Sequence, residues 1–204
     1  MSAYPVQLSL DAPLEVARWR PLVHWLLAIP HLIIANILGN LAGILAIVSW
    51  FVILFTGRLP AGIANVQCLV LRYEMRAYSY ALWLREPYPP FEFDTATTDP
   101  GTDPVRVDVA PQLDASNRLT VGLRIIWAIP YIVFTAVLVI AMWFVVLASF
   151  FVVLFTGRWP DGMRRFVVGV GRVSLRANAY VRLLVDEYPP FTLDESNPLP
   201  LATN

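Results

Sequence analysis

Two histidines and a repeated stripe of arginine and tyrosine are the residues whose types and spacing suit chemistry. His24 and His31 lie seven apart on one helix face, a spacing that suits metal or haem ligands. One hundred residues on, the chain has Arg124 and Tyr131 instead. A site built by a repeated architecture would not lose both, so each histidine reads as a polar group at a membrane boundary. Arg72, Arg76 and Tyr80 occupy positions i, i+4 and i+8 of a second helix, and Arg172, Arg176 and Tyr180 repeat them. With Arg58 and Arg158 they read as a basic surface for anionic lipid headgroups or a partner, each Arg contributing on the order of 1 kcal/mol near an anionic leaflet. Cys68, opposite Val168 in the repeat, reads as a small apolar residue, and a single Cys excludes an intramolecular disulfide. No Ser-His-Asp, Cys-His or Gly-rich phosphate signature occurs in a supporting context. The expectation is therefore no catalytic residue, no metal, no cofactor and no enzymatic activity, with a lipid-modifying reaction as the competing catalytic reading.

The elements that carry these residues are set by composition. Of 204 residues 57% are hydrophobic and 15% charged, against about 45–50% and about 25% in soluble domains. The 15 basic residues are all Arg and balance 15 acids. A disordered chain, a collagen and a basic nucleic-acid binder are excluded. The chain also repeats itself at an offset of one hundred. Ala28-Ile29-Pro30 returns as Ala128-Ile129-Pro130; Phe55-Thr56-Gly57-Arg58 with Pro60 returns as Phe155-Thr156-Gly157-Arg158 with Pro160. Tyr88-Pro89-Pro90-Phe91 returns as Tyr188-Pro189-Pro190-Phe191.

Each copy has four parts. An alternating run opens it, Val6, Leu8, Leu10 or Val105, Val107, Val109, as a half-buried strand requires. A long apolar segment follows, broken only by the two histidines in the first copy, and residues 125–155 exceed the ~20 that cross a bilayer core. The Thr-Gly-Arg-x-Pro turn ends it: Gly accepts a left-handed conformation, Thr bonds back to a carbonyl one turn earlier, and Arg meets the helix dipole. A second helix spans 62–84 and 162–184, and the Tyr-Pro-Pro-Phe segment closes the copy. Opening and closing strands are expected to pair into a small extramembrane sheet across a pseudo-twofold. The boundaries are 1–95, an acidic Pro-containing linker at 96–104 within a solvated acidic stretch from Glu86 to Asn117, a second repeat at 105–196 and a tail at 197–204.

Arginines flank both apolar runs, which places both ends of each on the cytoplasmic side. Two geometries satisfy that. In one the run folds back on itself, with Gly39-Asn40 as the turn, and the arginine helix lies flat at the interface; this is favoured, although the second copy has Val139-Ile140 there. In the other the arginine helix is the return span, with Arg72 and Arg76 near mid-membrane at about 2.5–3.5 kcal/mol each.

These motifs resemble the bacterial membrane family termed domain of unknown function 4389, twice over and across almost the whole chain. The resemblance implies a tandem-domain protein of the bacterial inner membrane and brings no activity. The fold expected is mainly α and integral to the membrane: two repeats, each a long hydrophobic segment or hairpin plus an amphipathic helix, with short extramembrane strands. The function expected is a non-enzymatic, multi-pass accessory or scaffold subunit with cytoplasmic termini. It would contact membrane lipids and a larger membrane complex and no nucleic acid. A small transporter or channel and a membrane-shaping hairpin protein are the alternatives.

Overall fold

In each repeat the Thr-Gly-Arg turn reverses a long apolar helix onto a shorter, arginine-bearing one, and the opening strand packs on the other repeat. The computed structural model describes residues 4–194; the tail at 197–204 lies outside them. Strand β1 (Val6–Leu10) leads to α1 (Arg20–Leu27), α2 (Ile29–Thr56) and α3 (Ala61–Ala81). The second copy follows as β2 (Val105–Val109), α4 (Arg118–Gly122), α5 (Arg124–Thr156) and α6 (Asp161–Val181). Both α2 and α5 are long and apolar enough to cross a membrane by length and composition.

The long run of the first copy does not fold back on itself. Helix α2 continues through Gly39-Asn40, where Asn40 Nδ2 donates to the Asn36 carbonyl 2.8 Å away and Gly39 makes room for a neighbour rather than a turn. The turn comes at Gly57, φ 73°, and again at Gly157, φ 71°. In each, the Thr hydroxyl donates to the carbonyl four residues back at 2.7 Å and accepts from the following Arg amide at 3.2 Å. The duplicated motif thus has one structural job, carried out identically twice.

Helix α3 does not lie on a surface, and α6 is buried or half-buried from Phe166 to Tyr180. Every residue of α3 from Gln67 to Ala77 is buried, so all sides of the helix are covered. Leu69, Val70, Tyr73 and Ala77 meet α2, while Cys68, Leu71 and Met75 on the opposite side meet the sheet and α6. Both helices end at 81 and 181, three residues short of the sequence pattern; the chain then reverses through the left-handed Trp83 (φ 46°) and Leu183 (φ 65°).

The two opening strands pair with each other, antiparallel, with Leu8 opposite Val107 at the centre. No strand forms at the closing Tyr-Pro-Pro-Phe segments, because prolines occupy their starts and aromatic stacking holds them instead. The sheet is where the repeats exchange parts: β1 packs on α6 and β2 on α3. The exchange continues into the loops. Val16 and Trp159 bond across to Gly157 and Leu14, and Ser116 and Leu59 bond to Gly57 and Leu113, at 2.8–3.1 Å. Up to Leu14 and Leu113 the pseudo-twofold offset is 99; from Val16 and Ser116 it is 100. The extra residue falls at Ala115, which adopts φ 58°.

Helices α2 and α5 are antiparallel. Trp50 and Leu54 near the end of α2 touch Val121 and Gly122 just before α5, whereas Trp83, beside the α2 start, meets Phe150 edge-on and stacks on Trp159 near the α5 end. The molecule is therefore layered. The long helices present apolar side chains outward, including Ile33, Ile37, Ile44, Ile47, Ile140 and Phe144. In the middle lie α3 and α6. On the far side the sheet turns Gln7, Ser9, Arg106 and Asp108 outward.

Candidate functional site

The stripe arginines staple this exchange. On α3, Arg72 donates to the Ala96 carbonyl at 2.9 Å and pairs with Asp99 at 3.3 Å. Arg76 pairs with Glu92 at 2.7 Å and both Asp99 oxygens at 3.2 Å, and its Nε donates to the Val105 carbonyl on β2 at 3.4 Å. Asp99 also accepts the Val107 amide at 3.1 Å, so side chains of the first repeat and its linker cover the edge of the second repeat's strand. Asp103 is buried against Arg85. The stretch 96–104 is therefore no wholly solvated linker: Asp99 neutralises the arginines of α3, and Asp103 the Arg85 that follows that helix. In the second copy backbone carbonyls receive the stripe arginines. Arg176 donates to the carbonyls of Thr192 and Asp194 at 3.0 and 2.9 Å, and Arg172 to Leu8 on β1 at 3.0 Å. Burial is the first cause that lowers the Arg176 pKa from its ordinary value.

The sequence motifs are thus divided by the fold. Arg58 and Arg158 stay on the surface, paired with Asp114 and Glu15 of the other repeat at 3.2 and 3.7 Å. Arg72, Arg76, Arg176, Tyr80 and Tyr180 are buried and Arg172 is half-buried, so of the basic surface expected of them only Arg58 and Arg158 are exposed. Pro30 opens α2, Pro130 sits inside α5, and Pro60 and Pro160 precede α3 and α6. The Tyr-Pro-Pro-Phe segments clamp the helix ends: Phe91 stacks on His31 at 4.2 Å between centroids, and Phe191 packs on Tyr131 at 5.2 Å.

His24 and His31 each have their own protein partners. His31 Nδ1 shares a 2.8 Å hydrogen bond with the Tyr73 hydroxyl. His24 stacks on Tyr80, its Nδ1 lies 3.0 Å from the Tyr80 carbonyl and its Nε2 2.9 Å from Arg20. That geometry requires the neutral ring: Nδ1–H donates to the carbonyl, and Nε2 accepts from Arg20. In the second copy Arg124 takes the place of His24, stacking over Tyr180 at 4.2 Å and reaching the Val185 carbonyl and Asp186. Burial lowers the His24 pKa from 6.5, the backbone bond to Tyr80 opposes it and the Arg20 charge adds to it. Because the folded pKa lies below the unfolded one, the stabilisation is complete above pH 6.5 and is lost as pH falls below it. Thermal unfolding in detergent should therefore show stability declining from pH 7 to pH 5.5, with a shallower decline in His24→Asn; equal slopes would remove His24 from the account.

Sequence reasoning missed a second charged pair. Glu74 on α3 and Arg182, just past α6, form a buried ion pair between the repeats, with Arg182 Nη2 at 2.9 and 3.0 Å from the two Glu74 oxygens. A Cβ on Gly39 would come within 2.8 Å of Glu74 Oε1. The repeat carries Ser174, Leu82 and Val139 at the corresponding positions, so the available signal was a departure from the duplication, not a part of it. The pair borders a largely apolar cavity of about 520 Å³ that runs from the sheet, at Leu8 and Val105, outward to Val139, Met142 and Trp143 of α5.

Fold and crevice define a duplicated, mainly helical chain with two potential membrane helices and no metal cluster among the described residues. It belongs to the family described as Domain of unknown function (DUF4389), whose model matches residues 18–92 and again 118–192. Both exchanged strands lie outside those matches. No curated protein and no solved structure matches the chain.

Proposed function

We propose that the protein is a non-enzymatic, membrane-embedded scaffold of the bacterial inner membrane that seats α2 and α5 along the plane of the bilayer and offers its sheet to the cytoplasm as a partner surface. The observation that carries this is sidedness. The sheet centre lies level with the middle of α6, since a Cβ on Gly171 would meet Leu8 at 3.3 Å and Arg172 Nε donates to the Leu8 carbonyl at 3.0 Å. If α2 and α5 stood upright, Arg106 and Asp108 would face lipid at mid-depth, at about 2.5–3.5 kcal/mol for each such charge on insertion scales. Laid flat, the apolar layer is immersed and the polar layer stays wet. The lengths of α2 and α5 favour a second reading, a multi-pass protein in which the antiparallel repeats cross as an inverted pair and a partner covers the sheet.

Single cysteines decide between them. Trp19 precedes α1 and Ala61 opens α3, exposed near opposite ends of α2, whose 28 residues span about 42 Å, and Ser9 is on the sheet. The native Cys68 is buried with its thiol pushed up to about 11, so it stays unreactive. An impermeant maleimide should label Trp19→Cys, Ala61→Cys and Ser9→Cys from the cytoplasmic face alone. Labelling of positions 19 and 61 from opposite faces would overturn the in-plane seating. A scaffold role further expects a stoichiometric partner after purification in mild detergent, and a solitary monodisperse protein would count against it.

A further inference from the structure

We propose that the inter-repeat cavity binds the chain of a neutral, single-chain lipid whose head oxygen accepts a hydrogen bond from Arg182. Among the described residues, Glu74 and Arg182 are the only charged groups on its wall. Arg182 is nine-tenths buried; Nη2 is occupied by Glu74, and Nη1 is buried without any hydrogen-bond partner. A buried donor left without an acceptor is destabilising, and more so when charged. Arg182 itself stands on the cavity wall. The acceptor's chemical class follows from Glu74. The carboxylate already balances the guanidinium, so an ionised ligand head would meet repulsion from Glu74, whereas an ester carbonyl or a hydroxyl gains the hydrogen bond without adding charge.

The rest of the wall suits a hydrocarbon chain. The volume of about 520 Å³ lies within the ~300–1,000 Å³ of small-molecule sites. Met75 and Met142 give it adaptable walls, Leu8 and Val105 close it at the sheet, and the exposed Trp143 marks its mouth on the apolar face. Ser174 and Asn178 stand at i−8 and i−4 from Arg182 on the same side of α6, and both line the cavity. The duplication does not explain this site. Glu74 and Arg182 each occur in one copy only, and Gly39, which leaves room for the Glu74 carboxylate, faces a valine in the other. The proposal rests on the membrane reading above only for the route of entry, sideways past Trp143 from the bilayer.

The test is photolabelling of the full chain in nanodiscs with a diazirine-bearing monoacylglycerol, mapped by peptide mass spectrometry. Saturable label should fall near Met75 and Met142 and be competed by unlabelled monoacylglycerol. The double variant Glu74→Ser with Arg182→Leu, which installs the residues of the other copy and leaves no lone charge, should weaken labelling about tenfold, as loss of one hydrogen bond to a charged donor implies. Should that variant melt early, Val168→Phe fills the cavity with the ion pair intact and should abolish the label. Unsaturable label spread over α2 and α5, undiminished label in both variants, or equal competition by ionised palmitate would each overturn the proposal. Cavity label that persists while positions 19 and 61 react from opposite faces supports the site and discards only the in-plane seating.

Discussion

Asp99→Ala should lower the thermal midpoint of the detergent-solubilised protein by roughly 6–20 °C. Asp99 is the common anion of Arg72 and Arg76 and also accepts the Val107 amide at the β2 edge. Its removal leaves the buried Arg72 guanidinium without its carboxylate and takes one of the anions from Arg76, which keeps Glu92, and breaking a buried pair from one side costs about 3–5 kcal/mol. For a chain of this size each kcal/mol moves the midpoint by roughly 2–4 °C. Asp99→Asn keeps an acceptor for the amide and should fall between the two. Arg58→Ala is the control: that ion pair is exposed, and its loss should cost at most about 1 kcal/mol. Differential scanning fluorimetry on the intrinsic tryptophans reads all three, and equal small shifts for Asp99→Ala and Arg58→Ala would show that water already reaches the cluster.

Gly39→Val is expected to destabilise by about 1–3 kcal/mol, although valine is the residue the second copy carries at that place. Its Cβ would stand 2.8 Å from Glu74 Oε1, and the carboxylate can retreat only by loosening its two contacts with Arg182 at 2.9 and 3.0 Å. The cause is local, so it should be reversible. Combining Gly39→Val with Glu74→Ser and Arg182→Leu makes the first copy resemble the second at all three places and should recover most of the loss. A triple variant as unstable as the single one would mean that valine is rejected by the helix packing and not by the carboxylate.

These two sites mark how far the sequence could be read. The duplication exposed the motifs, and the Thr-Gly-Arg turn was legible to the hydrogen bond, because its chemistry is local: a hydroxyl, a left-handed glycine and a helix end within three residues. The alternation of Val6, Leu8 and Leu10 likewise marked a strand. The neighbours across the duplication were not legible. An i, i+4, i+8 arginine stripe reads as a solvated or headgroup-facing stripe unless Asp99 and Glu92, 16 to 27 residues further on, are known to fold back over it. Glu74 and Arg182 lie 108 residues apart and share no motif. Gly39-Asn40 looked like punctuation because glycine breaks helices, yet here its missing side chain admits a carboxylate. Local rules fixed the pieces, and long-range charge pairing decided what the arginines do.

The exchanged strands also put a clock on biosynthesis. The inner face of β1 is buried against α6, which begins at Asp161, about 150 residues after β1 leaves the ribosome. At roughly 5–20 residues per second, the apolar side chains of Val6 and Leu8 wait on the order of ten seconds or longer for that helix to be made. Through that interval the first repeat also lacks β2, which covers its own α3. A nascent chain halted after residue 95 should therefore be a half-finished product that membrane-insertion or chaperone factors must hold, and the two repeats reach their native state together or not at all.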